Sequence, residues 1–482
     1  MHISQRLGFG PKGPEDQYSD LGEILAQLDR KTKRVGIPYF PTVGSLQTQS
    51  WPEKFNFSIT DRIEYSRLAR KGRETIRKTS GLSKSERKKK TQKLKEDLQI
   101  WRFDQVGLAH QAILGDDPLR QRFMQFWWNH FTVGSVNGTN FYTGDLYWNI
   151  LNNGIDGQFS DLLYQVTKHP SMLTYLDNIY SVGENSQKGK NVRRNKKKKV
   201  RVGLNDNLAR ELLELHSVSP TKNYSEKDIR ETAKILSGWG YIFNRAIKKK
   251  SKINYPTDYF NAFIEEHHEP GEKLVLGEKY SSGKKSLEEL ILNLSEDLHT
   301  RKFLCKKLCM HFISDNPKKN DLEYIEQVWL KTDGHLPSVH KAVVERSFIS
   351  EEKKYQWPLT WLFSVLRISN ANLFTGWDDL YQRFPFENRA WRIYDEIGQN
   401  FWSKRQPNGF SLKSDDWISI EHFDRRLRLS GMIFEWGTPK YKANDMLEIL
   451  NMSSSTKELV SKGHNEAQKF TLLTCSPEFM GV

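Results

Sequence analysis

Apolar residues recur at three- and four-residue intervals along most of the chain, a spacing that predicts helices. Leu21, Ile24, Leu25 and Leu28 form one stripe, Met172, Leu173 and Leu176 pack another, and Leu287, Leu290, Ile291 and Leu294 mark a third. Phe303 to Phe312 and WPLTWLFSVLR (357–367) continue the series. In DDPLRQRFMQFWWNHFTVG (116–134), Asp116 or Asp117 is placed to cap a helix that has Pro118 at its first position, with Phe123, Phe126, Trp127 and Phe131 as core or groove aromatics. YSEKDIRETAKILSGW (224–239) reads as a helix capped by Ser225, with Asp228 in the capping-box position and an end at Gly238. Few stretches alternate with period two, so the expectation is a mainly α-helical, single multi-helix globular unit over residues 1–482, with small β hairpins and basic insertions.

One helix breaks the usual pattern. In GLNDNLARELLELH (203–216), Leu208, Leu212, Leu213 and Leu215 supply an apolar side, while Asn207, Arg210, Glu211 and Glu214 recur at helical spacing on another. Two carboxylates one turn apart raise each other's pKa and an adjacent guanidinium lowers it, which is a way to hold one acid and one base. The plainer reading is an Arg–Glu pair on a solvated face, with His216 as an imidazolium meeting the helix dipole. This helix and the next form a helical hairpin whose turn lies near His216.

These segments resemble the bacterial family called domain of unknown function 1800. NDNLARELLELH is similar to its N-E-N-x-A-R-E-L-x-E-L-H signature, and SGW to its T-G-W turn. Asn129 and His130 match F-W-x-N-H-F, and MLTYLDN matches M-L-x-Y-L-D-N. His268, Gly271, Lys273 and Gly277 match H-D-x-G-x-K-x-x-x-G, with Glu269 in place of the Asp. RLGFG (6–10) and the closing SPEF match its ends, and Phe410 stands where a Trp is usual in a G-Q-x-x-x-x-P loop. The family carries no settled activity. Its genomic company implies envelope or exopolysaccharide work, and its members are often exported, whereas MHISQRLGFGPKGPEDQYSD shows no signal features and predicts a cytoplasmic location.

Charge adds a second theme. The 482 residues carry a formal net charge of +15, concentrated in KSERKKKTQKLK (84–95), KGKNVRRNKKKKVR (188–201) and KKKSK (248–252). Residues 61–101 predict a basic helical surface segment, a hairpin broken at Ser80–Gly81, and 184–202 a basic flexible insertion. None of the runs contains an aromatic residue, so the stacking partners of a single-strand nucleic-acid platform are missing, and the runs suit solvated faces or an electrostatic dock for nucleic acid, anionic lipid or acidic polysaccharide. The genomic company that the resemblance implies favours an anionic polymer or glycan over nucleic acid. A mean hydropathy of −0.69 with no apolar run of about 20 residues excludes a transmembrane helix. Three cysteines exclude a disulfide scaffold, and Cys305 and Cys309 read as core.

The candidate chemistry follows from these motifs. His130, Glu211, Glu214 and His268 are the expected catalytic residues, with Asn129, Asn207, Arg210, His216, Trp239 and Lys273 binding substrate. No organic cofactor is expected, since H-E-x-x-H, C-x-x-C pairs, G-x-S-x-G and phosphate-cradling loops are absent from the sequence. A divalent metal on His130, Glu211, His216 and His268 is chemically allowed. Two functions stay open: an acid–base or hydrolytic enzyme acting on an anionic or glycan-type envelope substrate, or a non-catalytic binding or assembly protein that docks an acidic polymer through its basic surface.

Overall fold

The helix at the centre of the molecule is buried on every side. In a computed structural model that describes residues 3–16, 20–35, 37–39, 47–49, 59–97, 100–134, 139–194, 203–219, 221–240, 262–371 and 393–481, each residue of Pro118–His130 is buried. Its apolar side packs as the sequence predicts. Its polar side is enclosed as well, because each long side chain finds an internal partner. Arg120 clamps Asp156 at 2.5 and 2.9 Å, Gln121 donates to Asp117 at 2.8 Å, and Arg122 donates to Thr360 at 2.8 Å and to Gln125. Asp117 holds the N-cap position without capping, since its carboxylate is taken up by Thr32, Gln111 and Gln121.

Helices surround this centre and are mainly α, as expected. Leu298–Phe312, Lys319–Lys331, Leu336–Ile349 and Pro358–Ser369 follow one another across its side. A single buried apolar cluster runs from Leu7 to Met480. Arg6, from the opening motif, donates to the carbonyls of Ile313 at 2.9 Å and Ser350 at 2.7 Å, so it closes the exposed ends of two of these helices. The described strands form three two-stranded antiparallel hairpins, including Lys273–Val275 with Glu278–Tyr280.

The basic segment folds as two antiparallel helices, Ile59–Lys78 and Lys84–Asp97. Gly81 turns between them at φ +79°, and Arg87 donates to the carbonyls of Ile76, Arg77 and Thr79 that end the first helix. At the root, Arg62 and Asp104 form a buried bidentate pair at 2.7 and 2.9 Å. Of the predicted insertion, residues 184–194 are described, and the basic run within it begins in a helix, Gln187–Arg194. The rest of that run, and KKKSK (248–252), lie outside the described residues.

Candidate functional site

The signature helix changes winding in mid-course. Asn207–Glu211 is α-helical, and Leu212–His216 is π-helical, a wider turn that is frequent at functional sites. The extra residue per turn carries His216 into the interior, where it is fully buried, while Glu211 and Glu214 stay half-buried. Burial and the neighbouring Glu214 raise the Glu211 pKa, and Arg210 only partly offsets them. Arg210 is turned away from the carboxylates, forming a bidentate pair with Glu226 at 2.8 and 3.0 Å. Two phenols stand beside the acidic pair. Tyr175 has its pKa raised by burial and by Glu211, and Tyr224 is raised by burial and by the charge of Glu214, to which it hydrogen-bonds.

His130 ends the central helix beside the π-turn. Its Nε2 lies 3.3 Å from the His216 carbonyl and its Nδ1 3.0 Å from Nζ of Lys307, which makes it a neutral imidazole donating to the carbonyl and accepting from the lysine. The His130 and His216 rings are 6.0 Å apart. Burial and Lys307 press the His216 pKa to about 3, so the ring is neutral instead of the expected imidazolium at a helix end. Burial brings Lys307 itself down to about 8. Sequence reasoning passed over this lysine. The available signal was its place three residues after Leu304 and four before His311, in line with the buried stripe.

The second histidine motif forms a separate cluster. His268 Nδ1 donates to the Ser237 carbonyl at 2.8 Å, and its Nε2 accepts from Gly283 and Lys273, each at 3.1 Å. Lys273 completes its shell with the Glu269 carbonyl at 2.6 Å and Ser282 Oγ at 3.3 Å. Three acceptors satisfy its three N–H donors, which leaves no free donor for an anionic ligand. The Glu269 carboxylate does not orient His268 but accepts from Asn185 at 2.6 and 2.8 Å. Gly238 sits at φ +88°, and a Cβ there would lie 3.1 Å from His268, which explains the glycine of the SGW turn. Among the described residues no hydrogen bond or ring contact joins this cluster to His130.

The remaining predicted residues divide between surface and interior. Asn129 forms a two-way bridge to the Phe410 backbone at 2.7 and 2.9 Å and so pins that loop. Asn178 donates to the carbonyls of Leu236 and Trp239, both at 3.1 Å, and Asp177 takes a left-handed turn at φ 57°, which gives the LDN motif a structural task. Trp239 is 1% exposed, packed against Phe263, so it offers no stacking face. Asn207 is exposed at the first helical turn. Cys305 and Cys309 are free and buried. Among the described residues no three His, Cys, Asp or Glu side chains gather as a metal shell, and no helix is long and apolar enough to cross a membrane. The cavity of about 640 Å³ lined by Arg6, Lys354, Thr456 and Glu478 contains residues of the first and last motifs but none of the predicted site residues.

The buried histidines make acid lability predictable. His216 and His340 are held at about 3 and His268 at about 4, all mainly by burial, and burial also keeps His130 and His311 well below the ordinary value. The unfolded chain binds these protons near pH 6.5 and the folded chain does not. Stability is therefore full above about pH 6.5 and falls towards pH 4 and below, by up to about 1.4 kcal/mol per pH unit for each such histidine. Urea midpoints measured from pH 7.5 to pH 4 should decline through this window. A flat profile from pH 7 to pH 5 would contradict it.

A wholly buried central helix, a π-wound signature turn and inward-facing polar motifs define a mainly α-helical protein whose sequence hallmarks mostly hold the fold together. The chain belongs to the family described as Protein of unknown function (DUF1800), whose family model matches residues 2–481. No curated protein and no solved structure matches it.

Proposed function

We propose that the protein is an acid–base enzyme of hydrolytic type, acting on a glycan-type envelope substrate that carries anionic groups, with Glu211 and Glu214 as its working pair. The observation that carries this reading is the half-buried placement of two carboxylates one turn apart, Glu211 raised and Glu214 hydrogen-bonded by Tyr224, at the start of the π-turn. A carboxyl with a raised pKa beside a second carboxyl is a pairing that general acid–base cleavage of a glycosidic bond can use. The +15 net charge favours acidic substrates by long-range attraction. Release of reducing ends from a panel of acidic oligosaccharides, by the wild-type chain and by Glu211→Gln, tests it. No release from any member of the panel, or equal release by both proteins, would sink it.

A second reading has its own support in the basic hairpin. Between Arg70 and Lys90 only Gly72, Ile76, Leu82 and Arg87 are partly covered, and the other side chains, nine of them Lys or Arg, are exposed. Such an arm suits docking to an acidic polymer. Replacing Lys88, Lys89 and Lys90 by Ala is expected to weaken binding to heparin, used as a polyanion probe, by roughly tenfold at low salt and to flatten the salt dependence. Unchanged affinity and slope would remove the arm from that role.

A further inference from the structure

Among the described residues five lysines have their ammonium groups depressed by burial, and two of them, Lys273 and Lys307, are brought to about 8 in surroundings that differ. Lys273 is 1% exposed and fully engaged by three acceptors. Lys307 is partly exposed, and its one hydrogen-bond acceptor among the described residues is His130 Nδ1. Its other close neighbour is an aromatic face, Phe303 at 5.1 Å. Among the described residues no carboxylate acts on its charge. The densely enclosed end of the side chain is the ammonium, and an unpaired cation in such a place is unfavourable unless it can give up its proton.

His130 accepts the lysine N–H at 3.0 Å and donates its own Nε2–H to the His216 carbonyl at 3.3 Å. That carbonyl is free to accept because it lies at a helix end, where carbonyls have no partner within the helix. The ring nitrogen fixes the direction of the amine, and the carbonyl fixes that of the ring. We propose that Lys307 is a nucleophilic amine that forms an imine with a small aldehyde or ketone, the open-chain form of a reducing sugar included, with His130 as the hydrogen-bond acceptor that positions the amine and the His216 carbonyl holding that ring.

The chemistry balances without a co-reactant. The Lys307 ammonium gives a proton to water. The freed lone pair forms the C–N bond while the carbonyl π pair moves to oxygen, and water returns a proton to that oxygen. The nitrogen then gives up a second proton to the hydroxyl, which leaves as water as the C=N bond forms. One ammonium and one carbonyl yield one protonated imine and one water, with no change of oxidation state. The His216 ring, fully buried and without a hydrogen-bond partner among the described residues, stands 6.0 Å from His130 in the same wall. This site is separate from the carboxylate pair, and its test requires no glycan cleavage.

The test is a competition within the wild-type chain. The protein is exposed to substoichiometric glyceraldehyde near neutral pH with cyanoborohydride, which reduces each imine to a stable secondary amine, and adducts are counted lysine by lysine by mass spectrometry. With its pKa near 8 against about 10.4 for an exposed lysine, Lys307 is expected to carry at least roughly ten times the adduct of an average lysine in the basic arm, and its labelling rate should level off above pH 8. Lys273 should stay unlabelled. Adducts that simply follow exposure, with Lys307 at or below the average, would overturn the proposal, and no variant has to fold for that result to appear. In His130→Gln, which lacks the ring nitrogen that directs the amine, the plateau rate should fall by roughly tenfold while its pH midpoint, set by burial, stays in place. An unchanged plateau would remove His130 from the positioning role.

Discussion

Replacing Glu211 by glutamine is expected to lower glycan cleavage by roughly 10²–10⁴-fold while leaving the urea midpoint almost unchanged. The two halves of this expectation come from different features. Glutamine keeps the size of the side chain and removes the proton that a raised carboxyl can deliver, so the acid step is lost. The carboxylate is half-buried, and its resolved influences are burial, Glu214 and Arg210, none of which anchors another element. Removing the charge also relieves the repulsion that raises Glu211, so the fold has little to lose. Glu214→Gln should behave differently. It weakens the hydrogen bond that Tyr224 donates, because an amide oxygen is a poorer acceptor than a carboxylate, so some stability goes with the activity. The pH–rate curve separates the roles: its limb at higher pH reports the acid and should disappear in Glu211→Gln. A clear fall in stability without any effect on turnover would identify the pair as structural.

Asp104→Ala should be among the most damaging single changes in the chain, at about 3–5 kcal/mol, the usual effect of stranding one member of a buried ion pair. The Arg62 and Asp104 side chains are 3% and 7% exposed and are joined by two hydrogen bonds, and Arg62 also donates to the Phe141 carbonyl at 3.1 Å. Arg34 feels both charges as well as that of Asp145, so the lost carboxylate would leave an excess of positive charge in a confined space. Gly144 packs directly against the Asp104 carboxylate, where a Cβ would come within 2.0 Å, so alanine also opens a void. The double variant Arg62→Leu with Asp104→Leu strands no charge and should lose less than Asp104→Ala alone. Urea denaturation of the three proteins decides this. A single-variant loss below about 1 kcal/mol would mean that the pair is replaceable by solvent. Because the pair roots the basic hairpin, amide exchange in residues 59–78 should quicken in Asp104→Ala even where the rest of the chain keeps its protection.

The sequence by itself determined the elements. The leucine and aromatic spacing identified the helices, the Ser225 capping box and the turn at Gly238 lie where local chemistry requires, and the basic hairpin breaks at Gly81. These features depend on contacts a few residues apart, which spacing reports directly. Tertiary structure decided which motif residues meet. Arg210 was read with its carboxylate neighbours four residues away, yet Glu226 offers a bidentate partner from the next helix. His268 and Lys273 looked like a reactive loop, and the carbonyl of Ser237 and the hydroxyl of Ser282 turned them into a satisfied clasp. Lys307 drew no notice in the sequence, and only the arrival of His130, 177 residues away, together with burial, made it a candidate nucleophile. Burial lowers the pKa of His268, Lys273 and Lys307, and burial is created by elements far apart in the chain, so no local pattern of residues could have announced it.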